Sequence, residues 1–111
     1  MIVFVQGQEV RIGDADNLEQ LKLVAVNQSD RSLGQVLQTA GLGTIGSEVD
    51  GLASEALLRL EELRRRASAV ATAPEWDAAW NTMIVGARKA GWVIEEGTVV
   101  RAHIERTQSM F

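Results

Sequence analysis

His103 is the only histidine of the chain, and with Arg101 and Glu105 it forms a polar triplet at alternate positions. Residues two apart share one face of a strand, so this spacing gathers an imidazole, a guanidinium and a carboxylate on one surface. A histidine beside a carboxylate can serve as a general base, and a guanidinium can hold an anionic group next to it. The sequence supplies no recognisable nucleophile to go with them: it has no cysteine, and no G-x-S-x-G elbow, P-loop or H-E-x-x-H motif. The triplet therefore reads as the solvent face of an edge strand, with His103, Glu105 and Arg101 as catalytic candidates in the competing reading.

Aromatic residues make the second constellation. Trp76, Trp80 and Trp92 stand against no tyrosine and two phenylalanines. Trp76 and Trp80 are one helical turn apart, and Met83 and Ile84 extend the same surface. Such a stripe either fills a small core or forms an aromatic wall for an apolar ligand or a partner protein. Periodicity is the same in both cases.

Other strings match motifs without the context that gives them meaning. GLGTIG at 41–46 has the letters of a dinucleotide-binding loop. That loop must leave a strand and open a helix, whereas SLGQVLQTA before it reads as a helix and no continuous helix begins at Gly46. A helix-turn-helix across 32–67 would need a turn of three or four residues where about a dozen intervene. The paired acids Asp14/Asp16 and Glu95-Glu96 sit in turn sequences with no third clustered ligand, so no metal and no cofactor is expected.

These residues must be positioned by elements that the patterning outlines. IVFV (2–5) and EVRI (9–12) flank Gln6-Gly7-Gln8 and read as a hairpin. Asp16 and Glu19 have capping-box spacing, which predicts a short helical turn over 17–20. LKLVAV (21–26) reads as a strand covered on both faces. Ser32 and Gln35 form a capping box before a helix that Gly41 closes. The glycine-rich stretch 41–51 reads as a loop with room for a short strand at 45–49.

Ser54 is placed as the N-cap of a second helix, whose stripe is Ala56, Leu60, Leu63 and Ala67. Glu55–Arg59, Glu61–Arg65 and Glu62–Arg66 would pair along its outside. Leu58 falls nearly opposite the stripe and is expected at the surface. Thr72, Pro74 and Glu75 start a third helix over 75–90, with Gly91 and Trp92 closing it. Glu95–Gly97 is a turn. Residues 98–106 form a closing strand with Val100, Ala102 and Ile104 inward.

The predicted fold class is thus α+β: a small antiparallel or mixed sheet (the N-terminal hairpin, 21–26 and 98–106) with about three helices on one face. At 111 residues the chain is one domain, assigned to 1–106, with 107–111 as a frayed tail. Fifteen acidic against eleven basic residues, a net charge of −4, disfavour nucleic-acid binding. The Arg64-Arg65-Arg66 cluster follows Glu61 and Glu62 and reads as a self-neutralised helix face. MIVFVQGQEV reads as a strand and not a signal peptide, and no apolar run approaches the ~18 residues of a membrane helix. A cytoplasmic location is expected. Nine arginines against two lysines fit a GC-rich bacterial coding sequence.

The functional expectation is a small non-catalytic interaction module, a homodimer, meeting its partner through Trp76, Trp80, Met83, Trp92 or Leu58. In dimeric form its contact would use the strand 98–106 or the helix 75–90. The competing expectation is an enzyme or carrier for an apolar small molecule, with a tryptophan-lined pocket and His103, Arg101 and Glu105 at its polar end.

Overall fold

The N-terminal hairpin consists of β1 (Ile2–Gln6) and β2 (Glu9–Gly13), antiparallel around Gly7, whose φ of +60° suits glycine. The structure is a computed structural model that describes residues 1–18, 20–46, 48–49 and 52–107, without the side chains of residues 48, 49 and 52. β3 (Lys22–Val26) runs parallel to β1, and α1 (Asp30–Thr39) comes after it. β4 (Gly43–Ile45), the β5–β6 hairpin (Glu48–Val49 and Leu52–Ala53) and β7 (Glu55–Arg59) come next. Then come α2 (Leu60–Ser68), α3 (Trp76–Lys89), β8 (Val93–Ile94), a single 3-10 turn at Glu95–Gly97, and β9 (Val99–Thr107).

The α+β class holds, but the sheet is larger than the sequence predicts. Seven strands join it in the spatial order β2-β1-β3-β9-β7-β4, with β8 also paired to β9. β1, β3 and β9 are mutually parallel and the other pairings are antiparallel. β9 is therefore a central strand and not an edge. Val99 and Val100 meet β7 on one side and β8 on the other, and from His103 onward β3 takes over from β8.

The main departure is at β7. Glu55–Arg59 has good helix formers, yet it lies between β4 and β9 with Ala56 and Leu58 completely buried. Five residues pair with β9 in register, and the Arg59 amide donates to the Leu42 carbonyl at 2.7 Å. Pairing and burial outweigh a helix preference of a few tenths of a kcal/mol per residue. The helix starts only at Leu60, so of the predicted stripe Leu60, Leu63 and Ala67 remain helical and buried. The Glu55–Arg59 pair is lost with that helix turn: Glu55 faces Arg101 across the sheet at 3.7 Å instead. Glu62 takes both Arg65 and Arg66, the latter at 2.9 Å, and Arg64 reaches Asp77 at 3.4 Å.

Helix ends show which local signals win. α1 starts three residues earlier than predicted, because Ser29 and not Ser32 is the N-cap, its Oγ accepting from the Ser32 amide at 3.1 Å. Both predicted C-terminal glycines act as expected. Gly41 and Gly91 take left-handed φ, and the residue after each donates back into the helix: Leu42 to Leu37 at 3.0 Å, Trp92 to Ala87 at 2.9 Å.

Thr72 does not cap α3. Its amide and the Ala73 amide donate to Asp16 at 3.0 Å, and its hydroxyl donates to Asp16 at 2.6 Å. Asp16 is thereby taken from the predicted turn at 17–20. Asn17, Leu18 and Gln20 are not helical, and Glu19 lies outside the described residues. Thr107, expected in the tail, ends β9 and accepts from the Asn27 amide at 2.9 Å; residues 108–111 lie outside the described residues.

The core is a single cluster between the sheet and the helices. Val3, Val5, Leu23, Ala25, Ala56, Leu58, Val100, Ala102 and Ile104 face Leu33, Leu37, Leu60, Leu63, Trp76 and Trp80. The other face of the sheet presents Arg101, His103 and Glu105 at the surface, with Val24 and Val99 buried among its neighbouring side chains. No described helix is long and apolar enough to cross a membrane.

Candidate functional site

β9 projects Arg101, His103 and Glu105 from this outer face, at alternate positions as their spacing requires. The neighbouring strands add charges in the same rows. Lys22 and Glu55 stand beside His103 in register, from β3 and β7 respectively. Lys22 Nζ lies 3.0 Å from Glu105, and Arg101 Nε lies 3.7 Å from Glu55. Both carboxylates near the imidazole are thus already engaged by cations, and His103 itself is exposed. The sequence triplet is brought together, but on an open lattice of cross-strand ion pairs that excludes no water.

The tryptophans divide differently. Trp76 and Trp80 are 5% and 3% exposed, with ring centroids 5.4 Å apart. The Trp76 indole donates to the Ala15 carbonyl at 2.8 Å, so its polar edge is satisfied inside the core. These two rings fill the core. Leu58, expected at the surface as an interface residue, is 0% exposed. Strand alternation, and not helical rotation, decides which way it points, so that assignment is corrected.

Trp92 is the exposed one, at 56%. It comes directly after the closing glycine of α3, and its carbonyl accepts from the Arg101 amide at 2.8 Å as the chain enters β8. Here β8 and β3 diverge along the same edge of β9, and the divergence opens a cleft of about 220 Å³. Leu18, Leu21, Met83, Ala87, Trp92 and Val100 line it, with Arg101 as the one charged residue among those described. The structure thus unites Met83, Trp92 and Arg101 from the sequence candidates and leaves Trp76, Trp80, His103 and Glu105 out.

Sequence reasoning misses Leu18, Leu21, Ala87 and Val100 as lining residues. Leu18 and Leu21, read from the sequence as parts of a helical turn and of a strand, lie on the connection before β3, and neither pattern marks them as lining a cleft.

A larger hollow, about 570 Å³, lies where α2 begins, between Arg59, Glu61, Glu62, Arg65 and the 95–99 segment. Its charges are mixed in sign. Hydrogen bonding from Arg65 holds the Glu62 carboxyl below its usual value, so that acid is already committed. Among the described residues, no three His, Asp or Glu side chains converge to hold a metal ion. The GLGTIG glycines have structural duties. Gly41 closes α1, and Gly43, in β4, has φ +155° and so close an approach to Leu57 that a β-carbon would lie 1.9 Å from the Leu57 carbonyl oxygen.

Comparison with protein-family models, curated proteins and solved structures finds no match.

Proposed function

We propose that this chain is a small, cytoplasmic, non-catalytic protein-interaction module that works as a homodimer. The observation that carries the reading is the half-exposed Trp92 beside its apolar cleft. At about 220 Å³ the cleft is smaller than the ~300–1,000 Å³ of typical metabolite sites, and it matches one apolar side chain of a partner. Tryptophan at the rim of such a pocket is the residue type most enriched among interface anchors. Self-association rests on a separate feature, the open edge of β2.

One observation favours a second reading, a carrier for a small apolar molecule. Arg101 lines the cleft, and by exchanging Glu55 for a ligand it can hold the carboxylate of a short aliphatic acid. In that reading Arg101 is the polar end among the described residues, and His103 and Glu105 do not line the cleft.

Native mass spectrometry of the purified chain tests both. The interaction module requires a dimer mass with nothing added. A mass increment on each subunit, removed by Trp92→Ala, would instead establish the carrier. A bare monomer at every concentration would overturn the homodimer.

A further inference from the structure

β2 is the outer strand of the seven-stranded sheet and, among the described residues, pairs only with β1. Its two-residue loop makes Gln6 and Glu9 a hydrogen-bonded pair, and the antiparallel pattern alternates from there. Arg11 therefore spends its backbone groups on Phe4, while the amides and carbonyls of Val10 and Ile12 point away from β1. The side chains alternate too. Val10 and Ile12 pack against the core, while Glu9 and Arg11 are exposed, the guanidinium lying 5.2 Å above the Phe4 ring.

At the other end of the sheet, β4 has three residues and is packed against α1. α1 also touches β2, but a hollow of about 370 Å³ between Gly7, Gln8 and Ser32, Gln35, Val36, Thr39 separates the helix from the start of β2. A five-residue outer strand with no described strand beyond it is a template for another strand.

We infer that the edge of β2 pairs antiparallel with β2 of a second copy, about a twofold axis at Val10. This inference rests on the homodimer reading and supplies its contact surface. Charge selects both occupant and register. Centred on Val10, the pairing sets Glu9 opposite Arg11 of the other copy twice over, and the two Val10 residues exchange hydrogen bonds across the axis. Centred on Arg11, it would set the two guanidiniums against each other, which cross-strand pairing disfavours. A single added strand pair covers less than the ~1,200 Å² of a standard stable interface, so the dimer is of the weak, reversible kind.

Sedimentation equilibrium on five samples, the wild type among them, tests this. Val10→Pro removes an amide that the monomer does not use, and proline is compatible with an outer strand, so that variant should keep its fold by circular dichroism and become monomeric. Glu9→Arg alone and Arg11→Glu alone each place like charges opposite one another at both positions and should weaken the dimer about tenfold. An equimolar mixture of those two variants restores both opposite-charge pairs, so it should form a heterodimer as tight as the wild-type dimer. This mixing result does not depend on the proline variant folding. Dimers insensitive to either charge change, or a mixture with no preference for the heterodimer, would overturn the β2 pairing while leaving a homodimer through another surface. A wild-type chain that stays monomeric would overturn both.

Discussion

β9 and β2 carry the same local pattern, with apolar side chains inward and charged ones outward, yet they occupy opposite situations. β9 is hydrogen-bonded along both edges, and its outward Arg101 and Glu105 meet Glu55 and Lys22 on the neighbouring strands. β2 has one neighbour among the described residues, and its outward backbone groups meet no described strand. Alternation alone decides which way a side chain points. Position in the sheet decides whether the strand is already satisfied or still able to bind. In β9 the chemistry-bearing residues are part of a finished surface, whereas in β2 unremarkable residues border the unfinished one.

The largest effect that distinguishes the two regions lies in the core beside β9. Leu58→Ala, on the strand that flanks it, should cost about 3 kcal/mol, because a fully buried leucine leaves both lost transfer energy and a cavity. Val10→Ala, half-buried at the outer strand, should cost less than half of that. Urea unfolding of the two variants checks the order. Equal losses would mean that β2 is as deeply built into the core as β7, and the contrast between them would fall.

That contrast explains how much of the fold is legible in the sequence. The hairpin, β3, the body of α1, α3 with its Gly91–Trp92 ending, and the inward residues of β9 all arise from patterns within about ten residues. β7 does not. EALLR is a helix by propensity, and only β4 and β9, distant in sequence, make it a strand. The same holds for Asp16, whose partner by spacing is Glu19 but whose partners in space are Thr72 and Ala73. Trp92 is readable as a helix-ending residue, but the cleft beside it is not. That cleft arises where β3 and β8 diverge along β9, and nothing local encodes the strand order.

A smaller effect belongs to the connection leaving β2. The Thr72 hydroxyl, together with the Ala73 and Thr72 amides, holds the Asp16 carboxyl below its ordinary value. The folded pKa is thus lower than the unfolded one, near 4. The carboxylate therefore stabilises the fold above about pH 4, and that contribution is lost as pH falls through the folded value. Asp16→Asn should reduce stability at neutral pH and flatten its decline between pH 5 and 3 (roughly the window in which an aspartate titrates). Thermal unfolding across that range checks it, and a decline as steep in Asp16→Asn as in the wild type would remove Asp16 as its source. Acid then loosens the anchor behind β2 while the ladder around β9, made of backbone hydrogen bonds, is unaffected.

The smallest effect is expected at the residue most suggestive of chemistry. His103 is exposed in the middle of β9, and the nearby carboxylates Glu55 and Glu105 are engaged by Arg101 and Lys22. Exposed ion pairs of this kind contribute about 0–1 kcal/mol, and substitutions on such a surface usually fall within about 0.5 kcal/mol. His103→Gln preserves size and hydrogen-bonding capacity, so it should leave the thermal midpoint and the dimer constant unchanged. A change in the dimer constant alone would place the outer sheet face, and not the edge of β2, between the two copies, because His103 faces away from the core and lies three strands from β2. Unchanged values would complete the contrast: the strand with the catalytic vocabulary is inert to substitution at its centre, while the strand without it is sensitive at Val10.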